Sequence, residues 1–209
     1  LIFDDAEDLN MALGQTINTE GGYSKWRISG GFFRLNYVFN DRYLLEVNGR
    51  LDGSSKFPSD SQYAFFPSVS AGWRVSQEPF WKVPEEIFSN LKVRASYGSL
   101  GNGNIDPYSF QELFKIKQSS LVWNGIRPQY TGQPAVIPLG LTWEKSTTLN
   151  LGLDFAFLSN RLQFSGDIYQ RKTTDMFTVG MSLPAVFGTD VPKGNYADLT
   201  TKGFELSVS

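Results

Sequence analysis

Residues Tyr63 to Val75 read YAFFPSVSAGWRV, and every odd-numbered position in the stretch (Tyr63, Phe65, Pro67, Val69, Ala71, Trp73, Val75) is apolar or proline. The even positions run Ala64, Phe66, Ser68, Ser70, Gly72, Arg74. A period of two is the signature of a β-strand, because successive side chains point to opposite faces of the sheet. Serine, glycine and arginine are poor material for the inner half of a packed sandwich. They suit a wall that meets hydrocarbon on one side and water on the other, as the strands of a transmembrane barrel do.

The alternation recurs on both sides of this stretch. Phe33, Leu35, Tyr37 and Phe39 share one phase; after Asn40, Asp41 and Arg42 the same phase resumes with Tyr43, Leu45, Val47, Gly49 and Leu51. Glu46, Asn48, Arg50 and Asp52 take the other face, a costly placement in a dry core and an ordinary one in a wet lumen. Leu91, Val93, Ala95 and Tyr97 alternate with Lys92, Arg94, Ser96 and Gly98. Leu149 to Phe157 does so with Asn150, Gly152, Asp154 and Ala156 on its polar phase. After a tight turn at Ser159 and Asn160, Leu162, Phe164, Gly166 and Ile168 repeat the pattern, and Phe204, Leu206 and Val208 begin another run. Trp26 to Gly31 is less regular, and its glycine pair Gly30 and Gly31 predicts a bulge.

These runs amount to about seven strands, each near or above the roughly 9 to 11 residues that cross a bilayer at a barrel tilt. The connections differ in length: Asn40 to Arg42 and Ser159 to Asn160 are very short, whereas Gly53 to Gln62, Ser99 to Thr142 and Lys172 to Asp198 are long. Short periplasmic turns and long extracellular loops orient such a barrel. Gln77 to Asn90 falls where a short turn is due and reads as a small helical turn on the periplasmic rim, built around Pro79, Pro84, Ile87 and Phe88. Tyr37, Phe39, Tyr43, Trp73, Phe155 and Phe157 cluster near the short turns, and Tyr63, Phe65, Tyr97 and Trp143 near the opposite ends, as two interfacial aromatic girdles require. Bacterial barrels close with an even number of strands, so about seven form part of a larger wall.

Composition agrees with an all-β, antiparallel chain. The 209 residues include 17 Phe, 9 Tyr and 5 Trp, with 20 Gly and 10 Pro to break the chain into short pieces. No run approaches the roughly 18 apolar residues of a membrane helix, which says nothing about strands that spread their apolar residues singly. A net charge of −2 without a basic patch argues against nucleic acid. With no Cys and no His the chain lacks thiolate metal ligands, disulfides and the usual general base of a nucleophilic triad.

Other constellations carry little chemistry. Asp4, Asp5, Glu7 and Asp8 lack the glycine turn and terminal glutamate of a calcium loop. Gly98 to Asn104 has no Gly-Lys-Ser/Thr ending and reads as turn chemistry. Glu46 with Asp52, or Asp154 with Asp167, have the composition of a glycosidase pair but read as wall residues. No catalytic residue, metal site or cofactor is expected. The loop aromatics Tyr108, Phe110, Trp123, Tyr130 and Phe187 are candidates for stacking on a sugar face or an apolar peptide side chain. Arg34, Glu46, Arg50, Arg74, Lys92 and Arg94 are expected to face the lumen, chiefly to pair with neighbouring charges.

Five stretches occur in an order that carries more than a pattern: RLDGSSKFP (Arg50 to Pro58), FPSVSAGWRVSQEPFW (Phe66 to Trp81), LKVRASYGSLGN (Leu91 to Asn102), WEKSTTLNLGLD (Trp143 to Asp154) and NYADLTTKGFEL (Asn195 to Leu206). Together they resemble the C-terminal part of the barrel in the SusC/RagA family of TonB-dependent outer-membrane transporters. That resemblance implies a plugged barrel of about 22 strands. Residues 1–209 are then part of a single barrel domain, with the plug and N-terminal regions outside this chain. It also implies import of oligosaccharides or peptides without enzymatic activity, a SusD-like lipoprotein lid, and a TonB complex that supplies energy. The rival expectation is a surface-exposed β-sandwich that binds glycan and transports nothing.

Overall fold

The computed structural model describes residues 23–209 apart from 85, 115, 135, 139, 185, 187, 189 and 190. The acidic cluster at Asp4 to Asp8 and the loop residue Phe187 lie outside the described residues. Seven long strands form one antiparallel sheet: β1 (Ile28–Phe39), β2 (Tyr43–Ser54), β3 (Tyr63–Arg74), β4 (Phe88–Asn102), β7 (Glu144–Phe157), β8 (Leu162–Val179) and β9 (Lys193–Val208). They run from 12 to 18 residues, enough to cross a bilayer. Two three-residue strands, β5 (Ile116–Gln118) and β6 (Gln129–Thr131), pair as a small hairpin within the longest connection. Among the described residues no second sheet covers the seven-stranded one, so the sandwich expectation fails.

Neighbours in the sheet are neighbours in sequence apart from the β5–β6 hairpin, so the wall is a meander. Its register aligns the phases from strand to strand. Tyr37, Leu45, Ala71, Ala95, Leu151, Ile168 and Phe204 form one continuous row, and Asn36, Glu46, Ser70, Ser96, Asn150, Tyr169 and Gly203 form the adjacent row on the opposite face. One face is therefore apolar over all seven strands and the other polar. Large side chains on the apolar face, among them Leu35, Leu45, Val69, Leu151 and Ile168, are exposed. In water such a surface would be an aggregation liability; in hydrocarbon it is the required exterior.

The two short connections use backbone that favours Asn and Asp. Asn40 and Asp41 adopt φ of 49° and 55°, and Ser159 and Asn160 adopt 57° and 65°. These left-handed conformations match the twist of a tight hairpin. The third connection at that end is longer and holds a single 3-10 turn at Val75–Gln77, with a further turn closed by Ile87 N–H donating to Pro84 O.

The bulge expected at Gly30 and Gly31 is absent: β1 and β2 pair without interruption from Ile28 to Phe39. A Cβ on Gly30 would stand 2.8 Å from Asp52 Oδ1, so this glycine makes room for a carboxylate on the polar face. The register shifts instead between Phe88 and Asn90, and between Thr173 and Phe177. The first moves Phe88, an even-numbered residue, onto the apolar face beside Phe157 and Phe155, at ring separations of 4.6 and 6.5 Å.

Candidate functional site: the polar wall and its loop cluster

Polar-face residues on adjacent strands come opposite one another because the register is unbroken through the middle of the sheet. Arg34 donates to Glu46 at 2.6 Å across β1 and β2, and Asn48 donates to the same carboxylate at 2.8 Å. Arg50 reaches Asp52 along β2 at 2.6 Å. The densest cluster centres on Arg94 of β4. Its Nε and one terminal nitrogen bind the two oxygens of Asp154 at 2.7 and 2.9 Å, and that same terminal nitrogen reaches Asp167 at 3.0 Å. Ser165 donates to Asp154 at 2.7 Å and Asn150 to Asp167 at 2.9 Å.

The strand between explains why one arginine reaches both acids. Gly152 of β7 pairs with Arg94 on one side and Asp167 on the other. A Cβ there would stand 2.6 Å from Asp167 Oδ1 and 2.7 Å from Arg94 Cζ. The missing side chain lets the guanidinium pass over β7 and tie three strands together. Arg34, Glu46, Arg50, Lys92 and Arg94 thus share the polar face, most of them in charge-assisted pairs with neighbouring strands or residues. Arg74, at the end of β3, donates to Asp41 O at 3.2 Å. Among the described residues no cluster of acids has the make-up of a metal site.

At the long-loop end the chain builds a small apolar core that sequence reasoning missed. Phe57 from the β2–β3 connection, Phe66 of β3, and Ile105, Leu141 and Trp143 from the β4–β7 connection are buried together. Trp143 is 9% exposed, its ring 4.6 Å from Phe57 and 5.9 Å from Phe66, and its Nε1 donates to Ser61 O at 3.0 Å. It therefore does not join Tyr63, Phe65 and Tyr97 on the exposed apolar face. The glycines expected to make a turn at Gly98 to Asn104 instead continue β4 to Asn102. Gly101 lies under the Phe66 ring and Gly103 under Trp143, leaving no space for a side chain at either. Glycine next to a strand end was the available signal, since it marks close approach as well as a turn.

The loop aromatics occupy different settings. Tyr108, at φ 66°, donates its hydroxyl to Lys25 O and accepts from Lys25 N–H, each at 3.0 Å. Phe110 packs half-buried against the loop core. Trp123 is 80% exposed beside a bridge to Ile126, and Tyr130 of β6 also presents its ring to solvent. Asn195 of β9 ties the β4–β7 connection to β8: its amide accepts from Thr142 N–H and donates to Thr142 O and Asp175 O.

At the short-turn end Glu78 is buried on the apolar side of the wall. Its carboxylate accepts from the Tyr43 hydroxyl at 2.7 Å and Trp73 Nε1 at 2.9 Å, with Arg42 at 3.6 Å. The hydrogen bonds from Tyr43 and Trp73, in that order, hold its carboxyl below the ordinary glutamate value, against the opposing effect of burial.

A single apolar-outside, polar-inside antiparallel wall with short turns at one end and folded loops at the other defines a piece of a transmembrane β-barrel. Residues 3–209 match the TonB dependent receptor-like β-barrel family model, and the chain belongs to that family. It is 38% identical over 189 residues to TonB-dependent receptor P26 of Formosa agariphila, covering 90% of this chain and 18% of that protein. It is 35% identical over 181 residues to TonB-dependent receptor SusC of Bacteroides thetaiotaomicron, covering 85% of this chain and 18% of SusC. Among solved structures it superposes on a chain of the RagAB peptide transporter with a TM-score of 0.77 at 25% identity, over 99% of this chain and 22% of that one. The chain thus spans about a fifth of the length of these relatives, and its place is the bacterial outer membrane.

Proposed function

We propose that this chain is the wall and outer-loop portion of a TonB-dependent importer that brings oligosaccharides or peptides across the outer membrane without altering them covalently. The single observation that carries this reading is the sheet itself: seven membrane-length strands, apolar on one face, with polar-face arginines and acids held in cross-strand pairs. A neutralised, hydrogen-bonded inner face suits a pore through which a polar solute moves without being trapped by unpaired charge. The likeness to the RagAB peptide transporter supports peptide import; oligosaccharide import and a SusD-like lipoprotein over the loop end are what the SusC/RagA resemblance of the sequence implies. The plug and TonB-contacting regions belong, in this reading, to the rest of the same transporter.

Substrate first meets the loop aromatics. Trp123 and Tyr130 present the most ring surface, Tyr108 and Phe110 fix the loop that carries them, and Phe187 comes from the β8–β9 connection. Uptake of labelled oligosaccharides and peptides by cells carrying the whole transporter tests the proposal. Accumulation is expected to cease when TonB is removed or the proton-motive force is collapsed, and to fall when Trp123 and Tyr130 are replaced by alanine. Accumulation that persists without TonB, or release of cleaved products, would overturn it.

A further inference from the structure

The connection between β3 and β4 is longer than the other two at the short-turn end. At its start, Glu78 is held by Tyr43 and Trp73, both of which stand on the apolar phase of their strands. At its end, the Trp81 ring meets Phe88 edge-on at 5.4 Å, and the register shift after Phe88 has turned that residue to the apolar face, into a cluster with Phe155 and Phe157. Both ends are anchored on the lipid side of the wall. Between them Phe80 is 62% exposed and Ile87 60%, and Val83 is exposed as well. The segment that carries them is thus tethered at both ends to the face that bears Tyr37, Phe39, Tyr43 and Trp73, the aromatic band expected at the membrane interface.

We propose that residues 78–84, 86 and 87 belong to an interfacial strap that lies flat in the periplasmic-leaflet headgroup layer of the outer membrane, inserting Phe80, Val83 and Ile87 among the phospholipid chains. The occupant follows from continuity: the strap extends a surface that hydrocarbon already covers, and apolar residues at that level gain from burial beside the acyl boundary. Charge is mixed: Glu78 has two hydrogen-bond donors and Arg42 beside it, and Lys82 is exposed where it can meet lipid phosphate, whereas Glu86 is also exposed and Glu85 adds a further acid in the sequence. The strap would fix the height of β3 and β4 in the bilayer, and it rests on the barrel reading above.

The test uses the whole transporter in phospholipid vesicles, in a cysteine-free background, with spin labels at single cysteines. Phe80→Cys and Ile87→Cys probe the strap; Val69→Cys marks the lipid-facing wall and Trp123→Cys the watery loops. The collision ratio of dissolved oxygen to a nickel chelate is expected to be several-fold higher at both strap positions than at Trp123, and to approach that at Val69. A strap label as open to nickel as Trp123, or shielded from both reagents by a protein partner such as a second copy, would overturn the proposal while leaving the barrel intact. Water access at Val69 itself would instead overturn the barrel.

Discussion

Replacing Arg94 with methionine keeps most of the side-chain volume and removes the guanidinium that joins β4, β7 and β8. Four charge-assisted bonds disappear, three to the acids at 2.7, 2.9 and 3.0 Å and one to Ser165 Oγ at 3.2 Å, leaving Asp154 and Asp167 facing each other with Ser165 and Asn150 as hydrogen-bond donors and Lys92 as the neighbouring cation of Asp154. Breaking a fully buried pair costs about 3 to 5 kcal/mol, and an exposed one about 0.2 to 1 kcal/mol. Asp154 and Asp167 retain 28% and 20% of their side-chain exposure, between those limits but closer to the buried one, so a loss of about 2 kcal/mol is expected. Denaturant unfolding of the whole transporter in lipid vesicles, followed by tryptophan fluorescence, measures it. Adding Asp154→Asn should recover part of the loss, because it removes one of the stranded charges; a coupling energy of about 1 kcal/mol is expected from the cycle. An Arg94→Met variant within about 0.5 kcal/mol of the parent, and additive with Asp154→Asn, would refute the claim that this cluster ties the wall together.

Three further outcomes follow from the same geometry. Gly152→Ala forces a methyl against Asp167 and Arg94, so it should cost about 1 to 3 kcal/mol by the same unfolding assay, and less when Arg94 is already methionine. Trp143→Ala should cost about 3 kcal/mol in the loop core and raise hydrogen exchange over residues 53–62 and 103–143, with the exchange of the membrane strands unchanged. Because Glu78 has a lowered carboxyl pKa when folded, its stabilisation is complete above the ordinary value of 4.5 and fades as pH falls through the lower, folded value. Glu78→Gln should therefore weaken the rim at neutral pH and flatten the acid limb of the stability profile. A parallel profile in both proteins would show that the carboxylate contributes nothing there.

The seven long strands and their two faces were legible because a period of two runs through most of each strand, as in Leu149 to Phe157. The long connection expected over Lys172 to Asp198 instead carries β8 on to Val179 and holds the start of β9 at Lys193, with the register shift between Thr173 and Phe177 falling inside that stretch. Both tight turns were legible from short polar residues, Asn40 and Asp41 in one and Ser159 and Asn160 in the other, although the second also puts Leu158 at φ 53°. What escaped was information carried between segments. The register shift beside Phe88 resets the phase without any Gly or Pro to announce it, so an even-numbered phenylalanine joins an odd-numbered face. Trp143 continues the apolar phase of β7 in sequence, yet partners from two loops draw it into a core. Glycine proved ambiguous: Gly30, Gly101 and Gly152 mark close approach to Asp52, Phe66 and Arg94, and none of them makes a turn. Polar-face residues could be named from alternation alone, whereas the partners of Arg94 depend on register, which no single strand encodes.

Adjacent residues in the middle of β3 supply the most direct test of the wall. Val69 lies on the apolar face and Ser68 on the polar one. Arginine at a lipid-facing midplane position costs about 2 to 4 kcal/mol, whereas a lumen-facing one costs little. Folding free energies of the whole transporter into vesicles should therefore fall by that amount for Val69→Arg and stay near the parent for Ser68→Arg. Equal penalties at the two positions, or a larger one at Ser68, would contradict a single-layer wall between lipid and water.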